Sequence, residues 1–346
     1  MNRLVILAPN WLGDAVMALP AIADVRRAAP GLSIAVAARP SIAALFGMVG
    51  DVNEVITLEP PQPNRDVAAW RNPGAELRDR QFEAALLLPN SFHVALMVAR
   101  AGIRERWGYR TQWRGPLLTR GVDRAPSGLH QVEYYQQLVH ALGFPNGPIA
   151  PRLDLSPERR DAGRRTLSEA GWNRRAPLVA LAPGAAYGGA KRWPAASFAG
   201  LARALVSGGV AVVIVGRAAD APVGEEIAAA LGAGASVFNL IGRTDLPALA
   251  GVLANCRALV GNDSGATHLG AALGVSVTAV FGPTDELVSA PRGEVRLKEP
   301  DRVAPHAVLT HPMWCRPCML RECPLDHGCM LGIGVDEVFA AARRTL

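Results

Sequence analysis

Lysine is nearly missing from this chain of 346 residues. The 36 basic residues include only two lysines, Lys191 and Lys298, so a lysine in a loop motif stands out. Aromatic residues are also scarce, at 5%, whereas proteins that bind single-stranded nucleic acid usually combine basic side chains with stacking rings. The net charge of +6 therefore favours an anionic partner such as a phosphate or a membrane surface, with nucleic acid as the weaker alternative.

Long hydrophobic runs are lacking as well. The apolar stretches are far shorter than the roughly 20 residues that span a bilayer, and Met1–Pro9 lacks the length and cleavage pattern of a signal peptide. We therefore expect a cytoplasmic protein. An apolar share of 50% excludes a disordered chain. Two domains are expected, because one hydrophobic core seldom grows past roughly 250–300 residues.

Three common enzyme motifs do not occur. No Gly-x-Gly-x-x-Gly follows a predicted strand, which removes the main support for a dinucleotide-dependent enzyme. No Asp-x-Asp is present to hold a metal ion at a sugar nucleotide, and no Gly-x-Ser-x-Gly forms a hydrolase elbow. The chemistry must therefore come from other loops.

The two halves of the chain begin alike. Residues 3–9 (RLVILAP) and 177–183 (PLVALAP) are apolar runs that end at a proline, and each precedes a glycine-containing loop and a helical stretch. Such runs are typical of strands buried in parallel sheets. The sequence predicts an α/β protein with two facing, Rossmann-like, doubly wound domains, 1–165 and 166–330, followed by a final helix in 331–346.

Asp14 ends the first loop, Asn10-Trp11-Leu12-Gly13-Asp14, before a helix that is predicted to begin near Ala15. The aspartate can cap that helix, or it can act as a general base in the cleft between the domains. A helix N-terminus stabilises the charged carboxylate, so Asp14 would be a weak base. Such a base suits a reaction in which the electrophile is already strongly cationic.

The second loop, residues 183–194 (PGAAYGGAKRWP), has the character of a phosphate cradle. Its glycines, beginning with Gly184, free backbone N–H groups to point at an anion, and Lys191 and Arg192 add positive charge. Tyr187 lies in the same loop. The alternative is a glycine-rich turn with solvated basic side chains.

The third loop, residues 261–268 (GNDSGATH), follows an apolar run and opens an alanine-rich helix. Asp263 or Ser264 can cap that helix, and His268 either faces the cleft or lies in the core. The many small and polar residues suggest close backbone approach to a diphosphate or a sugar. A further tight turn with hydroxyl and carboxyl groups is expected at 281–285 (FGPTD).

Together these loops resemble the bacterial family 9 glycosyltransferases, the ADP-heptose:lipopolysaccharide heptosyltransferases. The resemblance rests on motifs within 10–14, 183–194, 262–268 and 281–284, and it covers nearly the whole chain. The loop around Lys191 is most similar to the heptosyltransferase II branch. The resemblance implies a GT-B fold that binds the acceptor on the N-terminal domain and the sugar nucleotide on the C-terminal domain, with the last helix packing back on the N-terminal domain.

The family's reaction is inverting, metal-independent transfer of L-glycero-D-manno-heptose from ADP-heptose to the inner core of lipopolysaccharide. No cofactor is required for it. The implied partners are ADP-heptose and an anionic lipid A core that bears Kdo and heptose. We therefore expect a protein that works at the inner membrane as a peripheral protein and does not bind nucleic acid.

The resemblance also assigns roles by position. Asp14 matches the general base, and Lys191 matches the lysine that faces the donor diphosphate. Asp220 matches the acidic residue on the ribose hydroxyls, while Thr244 and Leu246 border the adenine. The other expected donor contacts are Gly184, Tyr187, Arg192, Asp263, Ser264, Gly265 and His268.

An arginine-rich stretch is the candidate for acceptor recognition. Seven arginines lie between residues 100 and 124, at positions 100, 104, 106, 110, 114, 120 and 124. They form either a solvated face or a surface for carboxylate and phosphate groups, and the polyanionic acceptor of the family favours the second interpretation. The expected acceptor contacts are Asn10, Trp11, Gly13, Arg100, Arg104, Arg106 and Arg110.

Four of the five cysteines lie close together near the C-terminus, with His327 among them: Cys315, Cys318, Cys323 and Cys329. Four thiolates are a ligand set for zinc or iron, although this spacing is not the paired Cys-x2-Cys of a zinc ribbon. A structural metal and a set of reduced structural thiols are both retained as alternatives.

Two other functions remain as rivals. One is a different family 9 transferase, of the heptosyltransferase I or III type, which differs from the heptosyltransferase II type in the substrates that it uses. The other is a basic nucleic-acid-binding protein, which predicts binding with a steep salt dependence, although the sequence contains no recognised motif for it.

Overall fold

The computed structural model describes residues 1–59, 74–232, 234–293, 306–344 and 346. The chain divides into two compact units, Met1–Pro151 and Arg152–Leu346. Each unit contains one parallel six-stranded sheet with helices between its strands. The prediction of an α/β protein with two doubly wound sheets is confirmed.

The sheet of the first unit has the strand order β3-β2-β1-β4-β5-β6, which is the order of a dinucleotide-binding fold. Its strands are β1 (Arg3–Leu7), β2 (Ser33–Ala38), β3 (Glu54–Thr57), β4 (Ala84–Leu87), β5 (Glu105–Tyr109) and β6 (Arg120–Val122). The described helices are α1 (Leu12–Met17), α2 (Leu19–Ala28), α3 (Pro40–Phe46), α4 (Ala75–Arg78), α5 (Phe92–Arg100) and α6 (Gln131–Ala141). The central strand β4 is buried along its whole length, as its unalternating apolar sequence requires.

The helical stretch after β1 is two helices rather than one. The first begins at Leu12, three residues earlier than predicted, and it ends at Met17. The second begins at Leu19 and has Pro20 in its first turn. Proline has no N–H group to continue the hydrogen-bond ladder, and its ring would clash with the carbonyl four residues earlier, so the chain restarts there.

The sheet of the second unit has the strand order β12-β11-β10-β7-β8-β9. Its strands are β7 (Leu178–Ala182), β8 (Ala211–Ile214), β9 (Val237–Asn239), β10 (Ala258–Asn262), β11 (Ser276–Phe281) and β12 (Ala307–Thr310). Its described helices are α7 (Pro157–Glu169), α8 (Ala195–Ser207), α9 (Ala221–Leu231), α10 (Leu246–Leu253), α11 (Gly265–Ala272), α12 (Glu286–Ser289), α13 (Gly328–Leu331) and α14 (Val335–Arg343).

The boundary between the units lies at Pro151, not at residue 165 as predicted, because α7 belongs to the second unit. Helix α7 packs along α10, and the two backbones touch where Gly163 meets Gly251. A Cβ atom on Gly163 would lie 2.0 Å from the carbonyl carbon of Gly251. This contact could not be read from the sequence, since α7 is mostly polar.

The last helix, α14, also lies in the second unit, where it packs against α8. Its buried face consists of Val338, Ala341 and Ala342. Just before the helix, the Ile333 carbonyl accepts a hydrogen bond of 3.0 Å from the indole nitrogen of Trp193. Packing of this helix on the N-terminal domain stays a prediction.

Parallel strands bring their carboxyl ends to one edge of each sheet, and doubly wound proteins bind ligands at that edge. The loops that carry the sequence motifs leave the strands there in both units. In the described part of the chain, every helix is too short or too polar to cross a bilayer.

Candidate functional site

Four loops lie side by side at the carboxyl edge of the second sheet. They follow β10, β7, β8 and β9, which are neighbours in that order. The loops contain, respectively, Asp263, Lys191, Asp220 and Thr244. The topology therefore brings together the loops of the donor residues that the sequence predicts from four separate parts of the chain.

Asn262 fixes the glycine-rich loop onto the end of β10. Its Oδ1 accepts a hydrogen bond of 3.0 Å from the Trp193 amide, and its Nδ2 donates one of 2.7 Å to the Pro183 carbonyl. Asn262 is fully buried, so both contacts are shielded from water. One amide side chain thus ties together the two ends of the loop 183–194 that presents Lys191.

Asp263 is the centre of a buried polar cluster. Its Oδ2 atom pairs with the Lys191 ammonium and accepts a hydrogen bond of 2.7 Å from the Thr284 hydroxyl. His268 Nε2 lies 3.7 Å from the other carboxylate oxygen. The side chains of Lys191 and Asp263 are only 12% and 5% exposed, so the ion pair is largely desolvated.

The pKa of Asp263 is low despite its burial. Burial by itself raises the pKa of this carboxyl, but the contacts with His268 and the positive charge of Lys191 outweigh that effect and hold the pKa at about 2. Asp263 is therefore a carboxylate at any pH near neutral, and it holds the Lys191 ammonium in a fixed place.

Tyr187 lies beside the lysine. The Lys191 ammonium is 4.8 Å from the centre of the Tyr187 ring, a cation–π distance. The phenol hydroxyl donates a hydrogen bond of 2.7 Å to the Met319 carbonyl. Tyr187 thus connects the lysine loop to the segment that contains the cysteines.

Asp220 lies directly under the first glycine of the same loop. A Cβ atom on Gly184 would approach Asp220 Oδ2 to 2.3 Å, so only glycine fits there. The other carboxylate oxygen accepts a long hydrogen bond of 3.4 Å from the Arg192 guanidinium, and Oδ2 accepts one of 3.1 Å from the Arg217 amide. The structure therefore places Gly184, Arg192 and Asp220 together, and their role as donor contacts stays a prediction.

The remaining donor candidates lie at helix N-termini. Ser264, rather than Asp263, is the N-cap of α11, and Gly265 is the first residue of that helix. Thr244 precedes Asp245, which caps α10 by accepting a hydrogen bond of 2.8 Å from the Ala248 amide, so Leu246 is the first residue of α10. Helix N-termini carry partial positive charge and suit phosphate groups.

In the first unit, Asp14 is not an N-cap. The helix begins at Leu12 with Trp11 as its N-cap, so Asp14 is the third helical residue, in the first turn. Asp14 lies near Tyr135, whose pKa is raised well above its usual value, first by burial and then by the Asp14 charge. Asn10 and Trp11 are exposed and Gly13 is half-buried at the same edge of the sheet.

The arginine-rich stretch does not form one surface. Strand β5 carries the chain across the sheet, so Arg104 lies before its amino end and Arg110 after its carboxyl end, roughly 20 Å apart. Arg100 ends α5 at the amino edge too. The Arg106 guanidinium donates to the backbone carbonyls of Ile103, Arg104 and Leu117, and so supports the local fold. Of the four predicted acceptor arginines, only Arg110 reaches the carboxyl edge.

Arg114 is a structural residue and is completely buried. Its guanidinium donates to the carbonyls of Pro89 and Tyr109 and to the side chain of Asn90, which joins the loops after β4 and β5. Burial lowers the pKa of Arg114 to about 10, so the side chain stays charged at neutral pH. Its role is to hold the carboxyl edge together.

The four clustered cysteines line one small cavity together with Ala190 and Pro283. Burial raises the pKa of the Cys329 thiol, and the other three thiols raise it further. All four cysteines are free thiols. Among the described residues, no group of three or more histidine, cysteine, aspartate or glutamate side chains is placed to hold a metal ion. The described geometry therefore does not show a metal ligand set, which was one of the two alternatives for these cysteines.

Two residues of the cluster were not predicted, namely Asn262 and Thr284. Both belong to quoted motifs: Asn262 is the last residue of β10, and Thr284 follows the end of β11 by three residues. A polar side chain at the end of a buried strand is a usable signal, because it must find a hydrogen-bond partner there.

The sequence matches known proteins over most of its length. Residues 70–327 match the model of glycosyltransferase family 9 (heptosyltransferase). Lipopolysaccharide heptosyltransferase 2 of Escherichia coli strain K12 is 32% identical over 293 residues, which cover 82% of this chain and 83% of the relative.

Two solved structures are similar over nearly the whole chain. That of the E. coli ADP-heptose lipopolysaccharide heptosyltransferase II has a TM-score of 0.81 and 29% identity, and covers 99% of this chain and 98% of that one. The E. coli heptosyltransferase WaaC with ADP has a TM-score of 0.70 at 19% identity, with 99% of both chains covered. The second match shows a shared fold.

Proposed function

Because this chain is a member of glycosyltransferase family 9, the heptosyltransferase family, we propose that it transfers a heptose from ADP-heptose to the inner core of lipopolysaccharide. The proposed enzyme is of the heptosyltransferase II type, which is the name carried by the E. coli relative and by the 29% identical structure. The ADP in the WaaC structure supports the donor assignment.

The order of the loops on the second sheet carries the proposal. Adjacent strands are about 4.8 Å apart, so the four loops from β10 to β9 extend over roughly 14 Å. An extended sugar nucleotide has a comparable length. We assign the heptose and diphosphate to the loops of Asp263 and Lys191, the ribose to Asp220, and the adenine to the neighbourhood of Thr244 and Leu246.

Positive charge is concentrated where the diphosphate would lie. Lys191 pairs with Asp263, which directly precedes Ser264, the N-cap of α11, and Arg192 follows Lys191 in the loop. Fixed groups of this kind stabilise charge that develops in the transition state, because they need no reorganisation. In this proposal they stabilise the leaving ADP, and no step uses a metal ion.

Asp14 is the proposed general base, with the acceptor at the carboxyl edge of the first sheet. The bond between the heptose anomeric carbon and the diphosphate oxygen breaks, and its electron pair leaves with ADP. The acceptor hydroxyl oxygen attacks the opposite face of that carbon, which inverts its configuration, and Asp14 takes the hydroxyl proton. The oxocarbenium character of such reactions makes a weak base sufficient.

The proposed acceptor site contains fewer residues than the sequence alone suggested. Asn10, Trp11, Gly13 and Arg110 lie at the carboxyl edge of the first sheet and are retained as acceptor contacts. An arginine fork suits the carboxylates and phosphates of a lipid A core bearing Kdo and heptose. Because lipid A anchors that acceptor, we propose that the enzyme works in the cytoplasm, peripherally at the surface of the inner membrane.

The test uses two defined acceptors, lipid A cores that end in Kdo or in heptose. Purified protein is incubated with ADP-heptose and either acceptor, and the products are identified by mass spectrometry. We expect the heptose-terminated acceptor to gain one heptose, and the Asp14→Asn variant to make no product while still binding ADP. Transfer only to the Kdo-terminated acceptor would indicate heptosyltransferase type I, and no transfer to either would contradict the proposal.

A further inference from the structure

A short segment from the cysteine-rich region, residues 319–322, lies against the lysine loop. The Ala190 amide donates a hydrogen bond of 2.9 Å to the Arg321 carbonyl, and the Gly189 amide donates one of 3.0 Å to the Glu322 carboxylate. Together with the hydrogen bond from Tyr187 to Met319, three hydrogen bonds hold the segment to the loop. Segment 319–322 is therefore part of the wall beside Lys191.

The backbones of the two segments are in direct contact at Gly188. A Cβ atom on Gly188 would lie 2.2 Å from the Arg321 carbonyl oxygen and 2.9 Å from the Arg321 Cα. No side chain fits at this position unless the backbone moves. The glycine thus allows Arg321 to approach the loop that the sequence analysis identified as a phosphate cradle.

The Arg321 side chain contacts the same aromatic ring as Lys191, the ring of Tyr187. Its guanidinium carbon is 5.3 Å from the centre of the Tyr187 ring, and the Lys191 ammonium is 4.8 Å from that centre. A cation–π contact orients a charge without neutralising it. One ring therefore contacts both cationic groups.

The three basic residues at this loop, Lys191, Arg192 and Arg321, differ in whether a carboxylate neutralises their charge. Lys191 is paired with Asp263, and Arg192 contacts Asp220. In the part of the chain that the structure describes, Arg321 is exposed and has no carboxylate partner. An unpaired guanidinium next to a phosphate cradle is available for an anion, and its planar fork fits two phosphate oxygens.

We propose that Arg321 is a further donor-binding residue, which contacts the diphosphate of the nucleotide. This inference rests on the proposed function, since the ligand is the diphosphate of the donor. As the bond to the anomeric carbon breaks, the electron pair passes to the diphosphate oxygen, and Arg321 shares with Lys191 the stabilisation of the added charge. The cysteine-rich segment thereby contributes a side chain to the site.

The experiment measures nucleotide binding by calorimetry, without an acceptor. ADP and AMP are titrated into the unaltered chain and into the Arg321→Ala and Arg321→Lys variants. We expect Arg321→Ala to weaken ADP binding about tenfold, to leave AMP binding within about twofold, and Arg321→Lys to restore part of the loss. If Arg321 had a purely structural role, Arg321→Ala would weaken the binding of ADP and AMP to the same extent.

The matched control is Arg343→Ala. Arg343 is also exposed and also stacks on a ring, at 5.6 Å from the centre of Phe339, but it lies on α14. This variant should bind ADP and AMP like the unaltered chain. The inference is overturned if Arg321→Ala keeps its ADP affinity, or if the ratio of ADP to AMP affinity does not change. If the unaltered chain binds no ADP, the proposed function itself fails, and this inference fails with it.

Discussion

Asp263 shows how a single buried carboxylate organises several side chains at once. It pairs with Lys191, accepts from Thr284 and lies near His268, so its charge is compensated on every side that the structure describes. Removing one partner of such a cluster leaves an uncompensated polar group in the interior, which costs more than the contact itself contributes. Substitutions at Asp263 therefore affect both stability and activity.

The first prediction concerns Asp263→Asn and pH. The folded-state pKa is about 2, below the ordinary value of 3.8, so the carboxylate stabilises the fold above pH 4 and loses this contribution as the pH falls towards 2. At pH 7 the variant should lose about 2 kcal/mol in the free energy of unfolding. Urea unfolding at several pH values measures it. If the difference in unfolding free energy between the unaltered chain and the variant does not become smaller between pH 4 and pH 2, the charge of Asp263 is not the cause of the loss.

The second prediction concerns Lys191→Ala. The lysine is held beside the proposed diphosphate site by Asp263 and the Tyr187 ring, so its loss should lower kcat at least about a hundredfold. Steady-state kinetics with ADP-heptose measure this. Arg203→Ala is the control, because Arg203 is exposed on α8 and its side chain donates to the Ala230 carbonyl, away from the loops of the site. Near-native turnover of the lysine variant would remove Lys191 from the mechanism.

At the scale of helices and strands, the arginines of residues 100–124 are close in sequence but lie at different edges of the first sheet. A count along the sequence groups residues 100–124 as one basic stretch, yet β5 separates that stretch into two edges of the sheet. The strand was not among those predicted, so its effect on Arg104 and Arg110 was not foreseen. The buried Arg114 was equally invisible, because its partners are backbone carbonyls and one asparagine side chain, and a sequence does not identify such contacts.

The third prediction concerns the contact between α7 and α10. Gly163→Ala places a methyl group 2.0 Å from the Gly251 carbonyl carbon, so the helices must separate. We expect a loss of at least about 1 kcal/mol in the free energy of unfolding, although alanine favours a helix. Gly31→Ala is the control, because Gly31 lies outside the helices and strands and no described residue lies within 4 Å of its added methyl group. Thermal unfolding of both variants measures this loss. Equal stability of the two variants would contradict the close packing of α7 against α10.

At the scale of the whole molecule, the sequence predicted the two parallel sheets because both begin with the same kind of apolar run. It also predicted that Lys191, Asp220 and Asp263 belong to one site, and the strand order of the second sheet brings their loops to one edge. The sequence did not reveal that α7 and α14 both belong to the second unit. Those assignments depend on close contacts between helices, such as the one at Gly163, which have no signature in composition.

The proposed donor of this enzyme is ADP-heptose. The most direct test measures heptose transfer and ADP release in the same reaction, with a heptose-terminated lipid A core as acceptor and with UDP-sugars as competing donors. We predict that one ADP is released for each heptose transferred, also in the presence of a chelator, and that UDP-sugars are not turned over. Turnover of a UDP-sugar, or ADP release without transfer of heptose, would contradict it.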